Sequence, residues 1–379
     1  MTKAALMRAF HEPLSVEEVT LPHAGPGEVK VRLLASGICH SDLSVQSGVL
    51  LSSAQRDGLA TKFPMVLGHE GAGVITEVGA GVTSLREGDH VITLPIGQCG
   101  DCVYCSKSQP FLCDSGQSIM RHAAMPDGST RFATESGESV WQMSGIGTLA
   151  EELIVTPTSL VKIAPGVNMA SASLVGCAIL TGSGSALNTA DIKQGDTVVV
   201  VGCGPVGQSI IQGARIAGAE RIIAVDLLPS KLALATKVGA TDEVLAGPDR
   251  DVVDEVRKLT NGHGVDVAFE AIGLQVTTDQ AIKMTAKGGQ IIIVGMAPRD
   301  VMVSMPSLSG VLRGAKTIRG SYFGWSDAQK DVARLLEYYK EGVFHIDEII
   351  SSVVKIDQVN DGFSSLKEGK ETCVVVDLS

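Results

Sequence analysis

The sequence predicts an α/β protein with two domains, a β-rich domain followed by a doubly wound domain built on a parallel sheet. Short alternating strands, separated by Gly and Pro, fill the chain up to about residue 95, as in Val29–Leu34 and Gly73–Gly79. From about residue 180, continuous apolar runs rich in β-branched residues alternate with helical patterns. Such alternation is typical of a parallel sheet that is buried on both faces.

Length, composition and charge agree with this division and exclude several classes of protein. The 379 residues are enough for two domains of about 150 residues and part of a third. Hydrophobic residues make up 44% and charged residues 19%, which excludes an intrinsically disordered chain. The formal net charge is -11 and no cluster of Lys and Arg offsets it, so we expect no nucleic acid partner.

Targeting signals are not expected. The segment Met1–Arg8 lacks a long apolar stretch with a cleavage site of small residues, so we identify no signal peptide. No uninterrupted apolar run approaches the roughly 20 residues that a membrane span needs. We therefore expect a soluble, cytoplasmic protein that acts on small molecules and does not bind a membrane.

The second domain is predicted element by element. Residues 114–145, which precede it, are polar and irregular and are predicted to form a surface loop. Strands are then expected in the β-branched runs and helices in the periodic segments between them, in this order: strand Thr197–Val201, helix Pro205–Ala217, strand Arg221–Asp226, helix Ser230–Val238, and strands Val265–Phe269 and Gln290–Val294 with a helix between them.

A glycine fingerprint lies between the first strand and the first helix of this domain. The run Gly202-Cys203-Gly204-Pro205-Val206-Gly207 places Gly202, Gly204, Pro205, Val206 and Gly207 where a dinucleotide's pyrophosphate would approach a helix N-terminus. Asp226 ends the next strand, where an acidic side chain accepts hydrogen bonds from the adenosine ribose. A carboxylate there repels a 2′-phosphate, so the sequence predicts NAD in preference to NADP.

Four cysteines are crowded into one short segment. Cys99, Cys102, Cys105 and Cys113 follow the spacing Cys-x2-Cys-x2-Cys-x7-Cys, which is short enough for four thiolates to surround one tetrahedral ion. Free or disulfide-forming thiols are the alternative, but a reducing compartment favours a metal. We therefore predict a structural zinc site that stabilises an otherwise irregular lobe.

Three further candidate ligands are dispersed along the chain. Cys39 lies in Gly37-Ile38-Cys39-His40-Ser41-Asp42, His69 in Gly68-His69-Glu70, and Cys177 in Gly176-Cys177-Ala178. Spacing alone does not assemble them, and an isolated cysteine is more often a core thiol than a ligand. Their interpretation depends on a family resemblance.

From about residue 25 to the C-terminus, the chain resembles the zinc-dependent medium-chain alcohol dehydrogenases of the liver type. The motifs that carry the resemblance occur together and in order: Gly68–Gly73, the four-cysteine segment, Cys177, the glycine fingerprint and Phe269–Gly273. The resemblance implies a GroES-like catalytic domain formed by residues 1–178 and 323–379. It also implies an NAD-binding Rossmann domain formed by residues 179–322.

The resemblance also implies the roles of the catalytic residues. Cys39, His69 and Cys177 would bind the catalytic zinc ion and leave one position open, a ligand set known from alcohol dehydrogenase. Asp42 and Glu70 would support these ligands, with Asp42 accepting the free ring N–H of His69. Ser41 matches the hydroxyl that contacts the substrate oxygen and begins the release of its proton.

Further residues are expected at the coenzyme. The resemblance implies that Lys231 borders the adenosine ribose, and additional contacts are expected from His40, Thr181, Ile272, Val294 and Met296. Three positions depart from the common pattern. Ser44 replaces a histidine that ends the proton relay, His40 replaces an arginine at the pyrophosphate, and Cys373 replaces a second arginine that Lys370 could compensate.

The substrate pocket is expected to be wide and apolar. Pro95 and Met143 stand where the liver-type enzymes carry aromatic rings, and Leu94, Leu149 and Met296 are expected to complete the lining. The segment 47–61 makes the chain longer between Cys39 and His69 and is predicted to form a loop over the channel mouth. Reversible oxidation of medium-chain, aromatic or other bulky primary or secondary alcohols to aldehydes or ketones is therefore expected.

Two alternatives and an oligomeric state complete the expectations. A formaldehyde dehydrogenase acting on thiol conjugates would need basic residues near the pocket mouth, for which the sequence offers no clear candidates. A non-catalytic zinc and nucleotide protein would not need the three catalytic ligands, all of which are present. The stretch Val301–Tyr322 resembles the edge strands through which the family dimerises, so a homodimer or homotetramer is expected.

Overall fold

The chain forms two units in a computed structural model, which describes residues 1–49, 58, 62–298 and 301–379. The β-rich unit comprises Met1–Cys177, Asp327–Leu336 and Ile350–Ser379, and the parallel-sheet unit comprises Ala178–Ser326 and Glu337–Ile349. The predicted fold class is confirmed. The predicted loop over the channel mouth lies, for the most part, outside the described residues.

The described strands are short, and most of them belong to the β-rich unit. In chain order they are β1 (Thr2–Met7), β2 (Ser15–Thr20), β3 (Val29–Ile38), β4 (Met65–Val66), β5 (Glu70–Val78), β6 (His90–Thr93), β7 (Phe132–Thr134), β8 (Ser139–Gln142), β9 (Glu152–Val155), β10 (Leu160–Ile163), β11 (Thr197–Val201), β12 (Arg221–Asp226), β13 (Asp242–Leu245), β14 (Val265–Glu270), β15 (Thr285–Ile293), β16 (Thr317–Gly320), β17 (Ser352–Lys355) and β18 (Val374–Asp377).

The described α-helices flank these strands, and short 3-10 turns and π-helical segments accompany them. In chain order they are α1 (His40–Ser47), α2 (Val103–Ser106), α3 (Asp114–His122), α4 (Met169–Leu174), α5 (Leu180–Gly184), α6 (Pro205–Ala217), α7 (Pro229–Val238), α8 (Val252–Leu259), α9 (Gln275–Met284), α10 (Ala328–Lys340) and α11 (Val359–Lys367).

The β-rich unit contains two sheets. Strands β1, β2, β7, β8 and β4 close into a barrel, and β10, β6, β5, β3, β18 and β17 form a second sheet in which β9 also pairs with β3. Strand β18, near the C-terminus, pairs antiparallel with β3. Segments from both the N-terminal and the C-terminal parts of the chain therefore build this unit.

The prediction of a surface loop over residues 114–145 is wrong. The segment contains α3, and it contains β7 and β8, which close the barrel by pairing with β2 and β4. Helix α3 begins after Cys113, whose sulfur accepts a hydrogen bond from Gly116 N at 3.4 Å, and it buries Ile119. The strands are short and their partners are distant in sequence, so local polarity concealed them.

The parallel-sheet unit has the strand order β13-β12-β11-β14-β15-β16, and every pair in it is parallel. Along β11, Val198 and Val200 pack in the core on one face, whereas Val199 and Val201 pack in the core on the other. The sheet is therefore buried on both faces, as its β-branched runs predict. All seven elements predicted between Thr197 and Val294 are present, with small shifts at their ends.

The division between the units differs from the predicted boundary in the C-terminal part of the chain. The predicted catalytic segment 323–379 includes Glu337–Ile349, which belongs to the parallel-sheet unit. The Gln212 side chain on α6 donates to His345 O at 3.0 Å and accepts from His345 N at 2.6 Å. These bonds hold that segment against α6. The functional division of the chain into two domains stays a prediction.

Among the described residues, one helical segment is long and apolar enough to cross a membrane. Met169–Thr189 meets that condition by length and composition, and 83% of its most apolar window is buried inside the structure. Such burial is that of a core helix. The segment contains two π-helical stretches, Val175–Ile179 and Ser185–Thr189.

Candidate active site

The dispersed candidate ligands meet in the β-rich unit. One ligand atom from each of Cys39, His69, Glu70 and Cys177 lies within 4.8 Å of the others. Cys39 immediately precedes α1, His69 and Glu70 stand at the start of β5, and Cys177 lies in the π-helical stretch Val175–Ile179. We call these four residues the dispersed cluster.

Asp42 fixes two members of the dispersed cluster. This carboxylate is fully buried; its Oδ2 accepts from Cys39 N at 2.9 Å, and its Oδ1 accepts from His69 Nδ1 at 3.0 Å. Because Nδ1 is engaged, Nε2 is the ring nitrogen left for an ion. The expected contact between Asp42 and His69 is present.

Cys177 is placed by an irregular helix. A π-helical turn contains an extra residue and is often found at functional sites. Gly176 lets this turn lie close to β6, since a Cβ at position 176 would stand 2.1 Å from Thr93 O. The glycine before Cys177 is therefore explained by the close packing of this turn against β6, a strand that is remote in sequence.

The electrostatics of the dispersed cluster favour a divalent cation. A hydrogen bond with Cys177, helped by the nearby His69, holds the pKa of Cys39 well below its usual value despite burial. The same bond, together with burial and the charges of Cys39 and Glu70, raises the pKa of Cys177 well above its usual value. A bound cation would stabilise both thiols as thiolates.

His69 lies in the same network and favours the thiolate form of Cys39. Burial by itself would lower the pKa of His69, but the charge of Asp42 and hydrogen bonds to Asp42 and Cys39 raise it well above the usual value. A bound cation would take over this role and require neutral imidazole. Two sulfurs and one ring nitrogen are donors that suit zinc.

The four-cysteine set also meets, in a single lobe of the β-rich unit. Ligand atoms of Cys99, Cys102, Cys105 and Cys113 lie within 4.8 Å of one another. The sulfur of Cys99 is 3.9 Å from that of Cys105 and 3.4 Å from that of Cys113. Tetrahedral zinc–sulfur bonds would place sulfurs about 3.8 Å apart, so the lobe fits a structural zinc ion. We call this set the local cluster.

The thiols of the local cluster also differ in pKa. Burial raises the pKa of Cys99 to about 12 and that of Cys105 to about 11. Hydrogen bonds from the backbone of Cys105 and Asp114 lower the pKa of Cys102 to about 6. A bound cation would favour the thiolate form of these cysteines.

The glycine fingerprint has the expected setting in the parallel-sheet unit. It joins β11 to α6, and Pro205 is the first residue of that helix. A Cβ at Gly207 would lie 1.9 Å from Gly202 O, so only glycine permits this close turn. At the end of β12, Asp226 accepts hydrogen bonds from Cys203 N at 2.8 Å and from Leu228 N at 2.9 Å.

Sequence reasoning missed Gln208, which supports the fingerprint. This fully buried amide donates to Cys203 O and to Lys231 O, each at 2.9 Å. It thereby joins the fingerprint to α7, the helix that carries Lys231. The sequence did contain a signal for this role, because Gln208 is a polar residue at a buried position of the amphipathic helix Pro205–Ala217.

The other residues predicted at the coenzyme lie in different places. Ile272 and Met296 follow β14 and β15 and are 42% and 53% exposed, and Val294 directly follows β15. Thr181 belongs to α5 in the same unit, whereas His40 begins α1 in the β-rich unit. Their contacts with a coenzyme stay predictions.

The residues predicted at the substrate all belong to the β-rich unit, apart from Met296. The Ser41 hydroxyl lies 3.6 Å from Cys39 Sγ, within reach of the dispersed cluster. Leu94 and Met143 are 2% and 8% exposed, and Pro95 is also buried. Leu149 has no exposed surface and packs in the barrel core. Whether these side chains contact substrate stays a prediction.

Two departures from the family pattern are placed by the structure. Cys373 is buried directly before β18, and burial raises its pKa well above the usual value. Lys370, which could compensate for the missing arginine, forms an ion pair with Glu368 at 2.6 Å. That compensation stays a prediction.

Comparison with known proteins agrees with this geometry. Residues 25–165 match the alcohol dehydrogenase GroES-like domain, and residues 205–340 match the zinc-binding dehydrogenase family. The chain is 37% identical over 372 residues to the NDMA-dependent alcohol dehydrogenase of Amycolatopsis methanolica, covering 97% of this chain and 96% of that protein.

Two further relatives carry more specific names. The S-(hydroxymethyl)glutathione dehydrogenase of Saccharomyces cerevisiae is 36% identical over 372 residues, which cover 97% of this chain and 93% of that protein. The crystal structure of benzyl alcohol dehydrogenase from Acinetobacter calcoaceticus superimposes with a TM-score of 0.90 at 27% identity, covering 100% of this chain and 99% of the other.

Family matches across most of the chain and the two clusters of metal-ligating side chains lead to one assignment. The chain belongs to the zinc-dependent medium-chain alcohol dehydrogenases and is an enzyme that oxidises alcohols with zinc and NAD.

Proposed function

We propose that the enzyme oxidises bulky apolar alcohols at the dispersed cluster, with Cys39, His69 and Cys177 as the zinc ligands. The observation that carries this proposal is the convergence of these residues, with Glu70, to within 4.8 Å in a unit where Asp42 orients His69. The local cluster would hold the structural zinc ion. Glu70, the fourth member of the dispersed cluster, supports the ligands without being one of the three.

The chain's own residues divide the remaining work. When bound, zinc supplies Lewis acidity to the substrate oxygen, and NAD supplies the hydride acceptor. Ser41 Oγ receives the proton of the alcohol hydroxyl and releases its own toward solvent. Asp42 keeps the His69 ring in one tautomer and orientation. The parallel-sheet unit orients the coenzyme through the fingerprint and Asp226.

The preference for NAD over NADP is supported by how Asp226 is held. Two backbone N–H groups, of Cys203 and Leu228, fix its carboxylate at the end of β12. The fixed carboxylate would accept hydrogen bonds from the ribose hydroxyls and would repel a 2′-phosphate. Lys231, in the first turn of α7, would border the same ribose.

The proposed substrate class is supported by the types of side chain predicted at the substrate pocket. Leu94, Pro95, Met143 and Leu149 of the β-rich unit are apolar side chains without aromatic rings, and we propose that they favour bulky apolar alcohols. Each buried methylene of a substrate contributes about 0.8 kcal/mol. The benzyl alcohol dehydrogenase relative supports an aromatic substrate in particular.

A second candidate function is the oxidation of thiol adducts of formaldehyde. The glutathione-dependent relative in yeast favours it by its name, although no basic residue of this chain is assigned to a carboxylated thiol. Such a substrate carries carboxylates that an apolar pocket would bind weakly. We therefore place it behind bulky apolar alcohols.

One panel of substrates tests both candidates. The zinc-loaded enzyme is assayed with NAD or NADP against ethanol, hexanol, benzyl alcohol and S-(hydroxymethyl)glutathione. We expect kcat/KM for hexanol and benzyl alcohol to exceed that for ethanol by about 10²-fold or more, with NAD strongly preferred. Ethanol equal to hexanol would contradict the wide pocket, and the thiol adduct in first place would favour the second candidate.

We further propose a homodimer or homotetramer in the cytoplasm. Strand β16 lies at the edge of the parallel sheet, and Ile318, Leu308, Val311 and Leu312 nearby are 40% to 74% exposed. An unpaired edge with exposed apolar side chains is suited to pairing with a second copy. All eight cysteines are free, which suits a reducing compartment.

A further inference from the structure

Glu270 is a buried carboxylate to which the proposed reaction assigns no role. It is the last residue of β14, in the middle of the parallel sheet between β11 and β15, and has no exposed surface. Among the described residues no basic side chain forms an ion pair with it. A buried charge without a cation partner is costly unless hydrogen bonds compensate it.

One oxygen of this carboxylate organises the turn that follows β14. Oε1 accepts hydrogen bonds from Ile272 N at 3.0 Å, Gly273 N at 2.8 Å and Thr277 Oγ1 at 2.7 Å. The first two donors belong to the turn and the third to α9. Glu270 therefore fixes the backbone of Ile272, one of the residues predicted at the coenzyme.

The same residue holds the turn that follows β15. Glu270 O accepts from Val294 N at 2.8 Å and from Gly295 N at 2.9 Å. The two turns are in direct contact, because a Cβ at Gly295 would lie 2.2 Å from Gly273 N and 2.7 Å from Glu270 Oε2. The backbone of Ile272 is thus held by the Glu270 side chain, whereas Val294 and Gly295 are held by its main-chain carbonyl oxygen and lie against the same turn.

The second oxygen has no partner. Glu270 Oε2 is buried and accepts no hydrogen bond in the part of the chain that the structure describes. An unsatisfied buried acceptor is destabilising, and such groups in native proteins call for an explanation beyond packing. A residue selected for stability alone would be apolar or fully paired at this position.

The place of these turns in the sheet indicates what they serve. In a doubly wound sheet the two halves of a dinucleotide bind on either side of the point where the strand order reverses. Here the fingerprint follows β11 and Asp226 ends β12, so β14 and β15 belong to the other half. The turns that Glu270 holds are therefore on the nicotinamide side.

We infer that Glu270 is a positioning residue whose side chain holds the β14 turn, and through it the adjoining β15 turn, in the arrangement that receives the nicotinamide half of NAD. This inference rests on the proposed NAD site and adds to it a residue that does not touch the coenzyme. It acts through backbone N–H groups and leaves the adenosine half of the site unaffected.

The test compares ligands that contain or lack nicotinamide. Glu270→Gln and Thr277→Val are prepared as zinc-loaded enzymes, and Kd is measured for NADH and for ADP-ribose, which lacks the nicotinamide ring. We expect NADH binding and kcat/KM for NAD to weaken about tenfold in Glu270→Gln, which removes the charge from three hydrogen bonds. In Thr277→Val, which removes one donor, the loss should be about threefold. ADP-ribose binding should stay within about twofold in both variants.

Glu243→Gln provides the matched control, because Glu243 is an exposed carboxylate on β13 of the same sheet. It should bind both ligands like the parent enzyme. Equal weakening of NADH and ADP-ribose, or no weakening of either, would overturn the inference, and Thr277→Val decides the matter if Glu270→Gln fails to fold. If the parent enzyme binds NADH but oxidises no alcohol, the proposed function fails while the binding data still decide the role of Glu270.

Discussion

The local cluster and the dispersed cluster contain similar ligand chemistry but are assembled differently. All ligands of the local cluster come from the segment Cys99–Cys113, whereas the dispersed cluster draws on a helix N-terminus, the start of β5 and a π-helical turn. Closing a short segment around an ion costs little chain entropy, but the ion then supplies much of the local stability. The dispersed cluster is instead held by the folded unit, which can leave its ion a position open for chemistry.

The groups that surround the ligands also differ between the two clusters. His69 in the dispersed cluster is oriented by a buried carboxylate at 3.0 Å, and a hydroxyl lies 3.6 Å from Cys39 Sγ. In the local cluster, backbone N–H groups donate to sulfur, as Cys99 N and Gly116 N do to Cys113 Sγ at 3.4 Å each, and the sulfurs also contact one another. The difference teaches that a catalytic site needs side chains that orient ligands and move protons, whereas a structural site needs only closure.

The largest expected effect is a loss of activity without a loss of stability when a ligand of the dispersed cluster is replaced. Cys177→Ser should lower kcat by about 10³-fold or more, because it removes a ligand of the ion that polarises the substrate. Elemental analysis should find two zinc ions per chain in the parent enzyme and one in the variant. The thermal midpoint should stay close to that of the parent, since β3, β5 and α4 hold the unit without the ion. A large fall in Tm would contradict the comparison.

The reverse outcome is expected at the local cluster. Cys102→Ser should lower Tm by roughly 5 °C, since losing about 2 kcal/mol of metal-linked stability shifts Tm by about 2–4 °C per kcal/mol in domains of this size. Limited proteolysis should then cut first within residues 99–125. At temperatures well below the new midpoint, kcat should remain within about threefold of the parent. Complete loss of activity in a folded variant would mean that the local cluster also serves catalysis.

A smaller effect is expected from the residue that orients His69. Asp42→Asn should lower zinc affinity or kcat by about 10- to 100-fold, because an amide cannot accept from both Cys39 N and His69 Nδ1. Asp114→Asn is the matched control, since Asp114 lies beside the local cluster and its side chain is exposed. Equal effects of the two substitutions on zinc retention would remove the distinction between the clusters.

The smallest effect concerns the release of the proton. Ser44 lies three residues after Ser41 on α1, so their side chains are neighbours on one helix face. Ser44→His should raise kcat below about pH 7.5, because neutral imidazole, with a usual pKa of about 6.5, accepts a proton in this range. Ser47→His, two turns from Ser41, should leave the pH profile unchanged. An unaltered profile in Ser44→His would mean that the proton leaves by another route.

Much of the molecule could be predicted from local sequence. Sequence patterns that span a few tens of residues predict the strands of the parallel sheet, the fingerprint before α6, Asp226 at the end of β12 and the local cluster. In these regions the periodicity, the spacing and the residue types all depend on near neighbours. The family resemblance supplied the dispersed cluster, which spacing alone did not join.

Tertiary structure decided the features whose partners are far apart along the chain. Strands β7 and β8 are each too short to show a hydrophobic alternation in the sequence. They are stabilised by pairing with other strands of the closed barrel. The convergence of Cys39, His69 and Cys177 depends on β3, β5 and a helix that approaches β6 at Gly176. The role of Glu270 depends on two turns that meet only when β14 and β15 pair. Such contacts depend on the cooperative packing of the whole unit, which no local pattern in the sequence records.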